Sequence, residues 1–434
     1  MSRPMKDSGI EWAGEIPIDW NVVPFKSLLK KQKNILEKWQ GEDVLSLTMN
    51  GVIVRDLVNP TGKMPSTFDG YQIIDKDSLI LCLFDIDVTP RCVGIAYNNG
   101  VTSSAYSHYK VKKGNVRYLY YLLLMLDNDK ILLSYSKTLR STITDEYFGA
   151  VRVPITQDIT EQVKIAAYLD NQVATIDAII ADTKESIQAL KDYKQAIITE
   201  TVTKGLDPQA PMKDSGIEWI GQVPEGWEVR KNKYIYDFSK GLSITKADLT
   251  ETGIPVINYG QIHSKYPVFF TPGRDDLPFV PSTFSSDTKS KLNFGDFVFA
   301  DTSEDYLGSG NFSMHNSEIE AMAGYHTIVL KVNKLVEYFE PKYLAYYFAG
   351  DVHRNQIRRK ISGVKVFTIS QTILKNTYCL IPPLDTQTQI VAYLDQKIGQ
   401  IDQLVADKEA LIAEYEAYKK SLIYEVVTGK RRVD

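Results

Sequence analysis

QVKIAAYLDNQVATIDAIIADTKESIQALKDYKQAIITETVT, residues 162–203, recurs as QTQIVAYLDQKIGQIDQLVADKEALIAEYEAYKKSLIYEVVT, residues 387–428, at a constant offset of 225. No residue is gained or lost between the copies. A long helix imposes that constraint, because one inserted residue turns every later side chain by about 100° around the axis. In the first copy Leu169, Val173, Ile176, Ile180, Thr183, Ile187, Leu190, Lys194 and Ile197 step by four and three. In the second copy the same positions are Leu394, Ile398, Ile401, Val405, Lys408, Ile412, Tyr415, Lys419 and Leu422. Spacing of this kind over four heptads, with charged residues on the other faces, predicts a coiled coil. A core helix packed on a sheet is the alternative. About 36 helical residues make a strut of ~54 Å. Lys194 and Lys419 fall on the core stripe, where a buried cation is costly. Either the helices splay there or the lysines snorkel outward.

A second repeat lies ahead of each variable region. Residues 5–20, MKDSGIEWAGEIPIDW, match residues 212–227, MKDSGIEWIGQVPEGW, at an offset of 207. The first eight residues are identical. The region between the repeats is longer by 18 residues (225 − 207) in the second half. The chain is thus an internal duplication of a Trp/Pro segment, a variable region and a strut, with a period too long for a solenoid. The expected boundaries are 1–157 for a first domain with its Trp/Pro segment and 158–204 for the first long helix. Then come 205–227 for a linker and the repeated segment, 228–384 for a second domain, and 385–434 for the second long helix and a short basic tail expected to fray. Trp12 and Trp219 are expected to anchor the repeated segments on the struts or on a partner subunit. Apolar runs such as 44–48, 78–84 and 93–97 read as strands, and 118–126 and 341–349 as buried helices. The fold class is α+β: two mixed α/β domains separated by two long helices.

At 434 residues the chain has ample core for more than one domain. No apolar run reaches a membrane span, and the N-terminal residues lack the apolar stretch of a secretory signal. Three cysteines without metal spacing suit a reducing, cytoplasmic setting. Phosphate-loop, zinc-ligand and amino-methyltransferase motifs are absent, and the five histidines are scattered. No metal site and no catalytic residue is expected.

A binding surface is the remaining reading. Arg354, Arg358, Arg359, Lys360 and Lys365 fall within twelve residues that contain no acid. The parallel stretch of the first half carries Lys137 and Arg140, followed by Ser141 and Thr142. Lys110, Lys112 and Lys113 form another acid-free run, and Tyr306 sits in a polar loop after a strand. Cations of this kind neutralise phosphates, and hydroxyls orient on them. A solvated face is the plainer reading of any one run. Residues 301–310 are either a recognition loop or a mobile one.

The order and duplication of Gln-x-x-Ile-x-Ala-Tyr-Leu-Asp and of Ser-Gly-Ile-Glu-Trp-x-Gly-x-x-Pro-x-x-Trp resemble the specificity subunit of type I restriction-modification systems. The resemblance rests on Gln162, Ala167, Tyr168, Leu169 and Asp170 with their copies Gln387, Ala392, Tyr393, Leu394 and Asp395. It rests also on Trp12, Pro17 and Trp20 with Trp219, Pro224 and Trp227. It implies a non-catalytic chain whose two target recognition domains each read one half of an asymmetric, bipartite double-stranded DNA target. The helices would form an antiparallel coiled coil, set the spacing and dock two modification subunits. S-adenosylmethionine would be held by those modification subunits, with no cofactor in this chain. Restriction subunits, ATP-dependent translocase-nucleases, would join the complex, and no membrane would be involved. Insertions in 201–211 would alter the spacer. The competing reading is a coiled-coil scaffold joining two protein-binding domains without DNA.

Overall fold

The computed structural model describes residues 3–60, 62, 64–136, 140–333, 339–361, 363 and 366–433. The chain forms two compact units, one of Met1–Lys184 with Glu409–Asp434 and the other of Glu185–Lys408. Each unit holds one variable region, the first part of the long helix that follows it and the last part of the other long helix. The long helices are Ile159–Lys204 and Leu384–Val427. The first opens on Asp158, whose carboxylate accepts the Thr160 N–H at 2.8 Å, as an N-cap should.

In the first unit an antiparallel four-stranded sheet runs in the order Leu29–Gln32, Ser107–Val111, Leu79–Leu81, Val93–Ile95. Helix Val116–Asn128 buries Tyr118, Leu119, Leu122 and Leu126 in the same core that receives Leu169, Ile176 and Ile180 from the first long helix. The domain closes where it began, with Arg152–Ile155 antiparallel to Asn21–Pro24. The second unit closes likewise, with Tyr378–Ile381 against Glu228–Lys231. Its main sheet has five strands, ordered Tyr236–Lys240, Thr327–Val332, Phe297–Ala300, Phe312–His315, Val268–Phe270, and only the last pairing is parallel. A four-stranded sheet around Ile254–Ile257 is added to it.

The heptad stripe is the buried face of the struts. Leu169, Leu394 and Leu422 are fully buried, Ile176, Ile180, Ile187 and Ile401 nearly so, and Val173, Leu190, Ile398, Val405 and Ile412 are half-buried against the cores. In the first unit the two helices run antiparallel, since Tyr168 lies under the Arg431 guanidinium while Asp177 binds Lys419. The lysines on the stripe snorkel. Lys419 reaches Asp177 at 2.5 Å in the first unit, and Lys194 reaches Asp402 at 2.6 Å in the second. These are the same pair in the duplication, 177 with 419 and 402 with 194. The carboxylates are half-exposed, so each bridge is worth little. A double-mutant cycle on Lys419→Met and Asp177→Asn is expected to give a coupling below about 1 kcal/mol in chemical denaturation.

The repeated helix motif is explained by contacts inside each unit. Gln162 is buried, accepting the Asn115 N–H at 2.7 Å and donating to the Thr156 carbonyl at 2.8 Å. Gln387 does the same with the Glu340 N–H and the Pro382 carbonyl. Asp170 takes Arg117 and the Tyr121 hydroxyl, and Asp395 takes Lys342 and the Tyr346 hydroxyl. Gln and Asp are thus clamps, eight residues apart, that fasten each domain helix to its strut.

In each Trp/Pro segment the last tryptophan is the more deeply buried, while Trp12 packs half-buried on the first core with its carbonyl accepting the Tyr424 hydroxyl of the second long helix at 3.1 Å. Trp20 is fully buried and donates to Glu161 at 3.2 Å, and Trp227 is nearly buried. Each lies against the glycine that ends a long helix. A Cβ on Gly429 would sit 3.1 Å from the Trp20 ring, and one on Gly205 would sit 3.3 Å from Trp227. Both glycines take a positive φ, 73° and 78°, the usual way to end a helix. Trp12 is half-buried, and Trp219 is 41% exposed. The basic tail is held rather than frayed. Lys430 donates to the carbonyls of Ala13 and Glu15 and lies over the Tyr424 ring, because the segment's turn leaves those carbonyls unpaired.

Candidate nucleic-acid interface

Helix Pro341–Ala349 is followed at Gly350 by helix Asp351–Arg358. The second helix buries His353, Gln356 and Ile357. Gln356 is locked by bonds to both backbone groups of Tyr378. His353 packs its ring 4.4 Å from Phe348, and burial holds it neutral, with its pKa pushed down to about 3. This locking aims Arg354 and Arg358, one turn apart, along a common face.

Neither guanidinium forms an ion pair among the described residues. Arg354 donates to the Asn311 side-chain Oδ1 at 2.9 Å, and Arg358 to the Leu307 backbone carbonyl at 2.5 Å. The Nε of each is buried without an acceptor. Burial, then the charge of Arg358, pulls the Arg354 pKa down to about 10, so it stays charged at neutral pH. Asp351 on the same helix offsets part of the Arg354 charge, and two adjacent cations hydrogen-bonded only to neutral acceptors still leave positive charge that an anion would neutralise.

Asn311 passes the contact on, with its side-chain amide 2.9 Å from His263 Nδ1, whose Nε2 meets the Thr302 carbonyl at 2.8 Å. Tyr259 gathers His263, Tyr325 and His326 around its ring, with centroids 5.4–6.3 Å away. His326 holds a left-handed φ of 55°. Residues 301–310 are strapped to this patch. Thr302–Ser303 pairs with Phe367–Thr368, and Tyr306, half-exposed, stands edge-on to Phe367. Arg359 and Lys360 are exposed just beyond the helix.

In the first unit Arg140 is exposed and Ser141 adopts a φ of 44°. Their carbonyls accept the Asp85 and Ile86 N–H groups, and Thr142 Oγ1 donates to the Arg140 carbonyl. The 110–113 run is already engaged: Lys110 binds Asp75, Lys112 the Lys26 carbonyl and Lys113 the Gln157 side chain. Lys137 and Lys365 lie outside the described residues. His263, Asn311 and His326 escaped the sequence reading because nothing in their spacing links them. Among the described residues no group of His, Cys, Asp or Glu could hold a metal ion, and no helix is long and apolar enough to cross a membrane.

Two mixed α/β domains, each fastened to a long helix by the same Gln and Asp clamps, and a pair of arginines hydrogen-bonded to neutral oxygens are the features to be set beside known proteins. Residues 224–413 match the family model for the type I restriction modification DNA specificity domain. The chain is 23% identical over 318 residues to the type I restriction enzyme MjaVIII specificity subunit of Methanocaldococcus jannaschii, covering 73% of this chain and 70% of that protein. It is 22% identical over 294 residues to the EcoKI specificity subunit of Escherichia coli, covering 65% and 58%. In fold it is similar to a chain solved in a study of complex assembly and conformational transition of the type I R-M system. The TM-score is 0.70 at 16% identity, covering 96% of this chain and 99% of that one. The HsdS subunit from Thermoanaerobacter tengcongensis gives 0.50 at 16% identity, covering 96% and 98%. Residues 224–413 thus match a type I restriction modification DNA specificity domain, and over most of its length the chain is similar to the specificity subunits of type I restriction-modification systems.

Proposed function

We propose that this chain supplies sequence recognition to a type I complex in the cytoplasm, each domain reading one half of an asymmetric bipartite DNA target. The observation that carries this reading is the Arg354–Arg358 pair, partly desolvated cations whose hydrogen bonds go only to neutral oxygens and of which Arg354 is offset only in part by Asp351 on its own helix, beside an aromatic and amide patch suited to base edges. Arg354, Arg358, Arg359, Lys360 and Tyr306 would contact the duplex from the second domain, and Arg140, Ser141 and Thr142 from the first. Lys110, Lys112 and Lys113 would reach phosphate only by exchanging the partners they now hold. Lys137 and Lys365 extend the two basic stretches in sequence. Two modification subunits carrying S-adenosylmethionine would dock, with restriction subunits joining them. Mapping methylated adenines across a genome, with the cognate modification subunit present, tests the reading. A bipartite, asymmetric target supports it, and methylation without sequence preference refutes it.

The helices would set the spacer. Both flanks of the 205–211 linker are fastened within the second unit, since the Val202 carbonyl accepts from Tyr343 and Gly205 abuts Trp227. Insertions in the linker are therefore expected to be absorbed there. One heptad added to each helix, near Lys184 and near Lys408, keeps the stripe in register and adds ~10.5 Å. The mapped target is then expected to keep its bases and gain about three base pairs of spacer, at ~3.4 Å each. An unchanged spacer would remove the helices from that role.

A further inference from the structure

The loop at residues 301–310 joins strands Phe297–Ala300 and Phe312–His315, and one imidazole closes its neck. His263 stands on the short helix Tyr259–Ser264. Its Nε2 lies 2.8 Å from the Thr302 carbonyl, where the loop begins. Its Nδ1 lies 2.9 Å from the Asn311 side-chain amide, where the loop returns. The other end of that amide holds Arg354, at 2.9 Å. Thr302, His263, Asn311 and Arg354 thus stand in one hydrogen-bonded line.

The two ends of the line fix every proton in it. A carbonyl only accepts, so His263 Nε2 carries a hydrogen and donates to Thr302. In a neutral imidazole the other nitrogen then accepts, so the Asn311 NH2 faces Nδ1. That leaves the Asn311 oxygen turned to Arg354, whose guanidinium only donates. The line is complete only when His263 is neutral. A protonated ring sets an N–H at Nδ1 against the Asn311 NH2. The amide relieves that clash by turning over, and its NH2 then confronts the guanidinium. Arg354 loses the bond that aims it, and its Nε has no acceptor to replace it.

Both partners of His263 in the line are neutral. The other titratable groups nearby are Tyr259, whose ring centroid is 6.3 Å from that of His263, and Tyr325 and His326, which pack on Tyr259. His326 Nδ1 is 3.3 Å from Asp301 Oδ1. Beyond Asn311 stand Arg354 and the charges beside it, Arg358 and Asp351.

We infer that His263 and Asn311 are positioning residues for base discrimination: neutral His263 orients Asn311 so that Arg354 is aimed, and protonation of His263 releases Arg354. The inference rests on the proposed reading of DNA by the second domain and adds which residues make that reading selective. Acid has two opposed effects. A protonated His263 adds positive charge, which strengthens attraction to any duplex. Release of Arg354 weakens binding only where a base edge is read. The ratio of target to non-target affinity separates them, because added charge alone moves both affinities together.

The test measures that ratio for the full chain assembled with its modification subunits, from about pH 8 to about pH 5.5, the range in which imidazoles titrate. One duplex carries the target mapped by methylation, and the other a scrambled sequence. The parent is expected to lose about tenfold in discrimination on acidification, the worth of one hydrogen bond to a charged group. His263→Gln offers a donor and an acceptor and does not titrate. It is expected to match the parent at the alkaline end and to keep that discrimination in acid. His263→Phe keeps a ring without either bond and is expected to be about tenfold less selective throughout. His326→Gln is expected to retain the parent's profile, because His326 lies outside the line. Circular dichroism verifies folding, and if His263→Phe unfolds, the comparison of His263→Gln with the parent decides alone. The parent's acid loss persisting in His263→Gln, parental selectivity in a folded His263→Phe, or a profile flattened by His326→Gln would overturn the inference. Each would leave a mapped bipartite target, and so the proposed function, standing. A parent without discrimination at any pH would overturn both.

Discussion

Replacing Arg358 and Arg359 with alanine is expected to weaken DNA binding by the assembled complex about a hundredfold at low salt and to flatten its salt dependence. Each phosphate contact contributes about 0.9 to the slope of log K against log salt, so losing two lowers the slope by about 1.8. The affinity loss follows from two charge-assisted hydrogen bonds of about 1.5–3 kcal/mol each, reduced by solvent screening at the exposed Arg359. Arg358 has a further task, since its bond to the Leu307 carbonyl tethers residues 301–310. Binding isotherms from 50 to 300 mM salt, conditions chosen for the assay, separate the effects. An unchanged slope would show that these arginines face solvent in the complex. Loss of affinity without loss of slope would confine Arg358 to holding the loop.

Trp20→Ala is the substitution with the largest expected effect on stability. The indole is fully buried, stands edge-on to Tyr118 at 6.4 Å, donates to Glu161 and covers the helix end at Gly429. Removing a buried tryptophan costs about 3–5 kcal/mol. Because the ring joins the Trp/Pro segment to the last turn of the second long helix inside the first unit, hydrogen exchange there is expected to accelerate most. Trp219→Ala provides the contrast. Its ring is 41% exposed, and its cost is expected to stay within about 0.5 kcal/mol. Equal losses from the two variants would contradict the assignment of Trp20 as the anchor.

The struts were legible because a heptad is a local periodicity, and the buried stripe from Leu169 to Ile197 follows the spacing of the letters. The task of Gln162 and Asp170 was not. Their spacing of eight marks a shared helix face but does not say that Asn115 and Arg117 wait there. The basic runs were legible only as charge. Lys110 turned out to hold Asp75, whereas Arg354 and Arg358 hold only neutral oxygens. His263 and Asn311 lie 48 residues apart and meet through the five-stranded sheet.

Residue order alone determined the duplication and the register of the apolar face, because a helix is built from bonds between residues three and four apart, whereas the helices themselves, 46 and 44 residues, outrun the roughly 36 that the heptads span. Only the tertiary structure decided which cations are already satisfied and which are not. A charge is answered by whatever lies within a few ångströms, and the chain brings those partners from tens or hundreds of residues away. The repeated helix shows both sides of this division. Its stripe could be read from spacing, while its Gln and Asp clamps required the fold that they hold together.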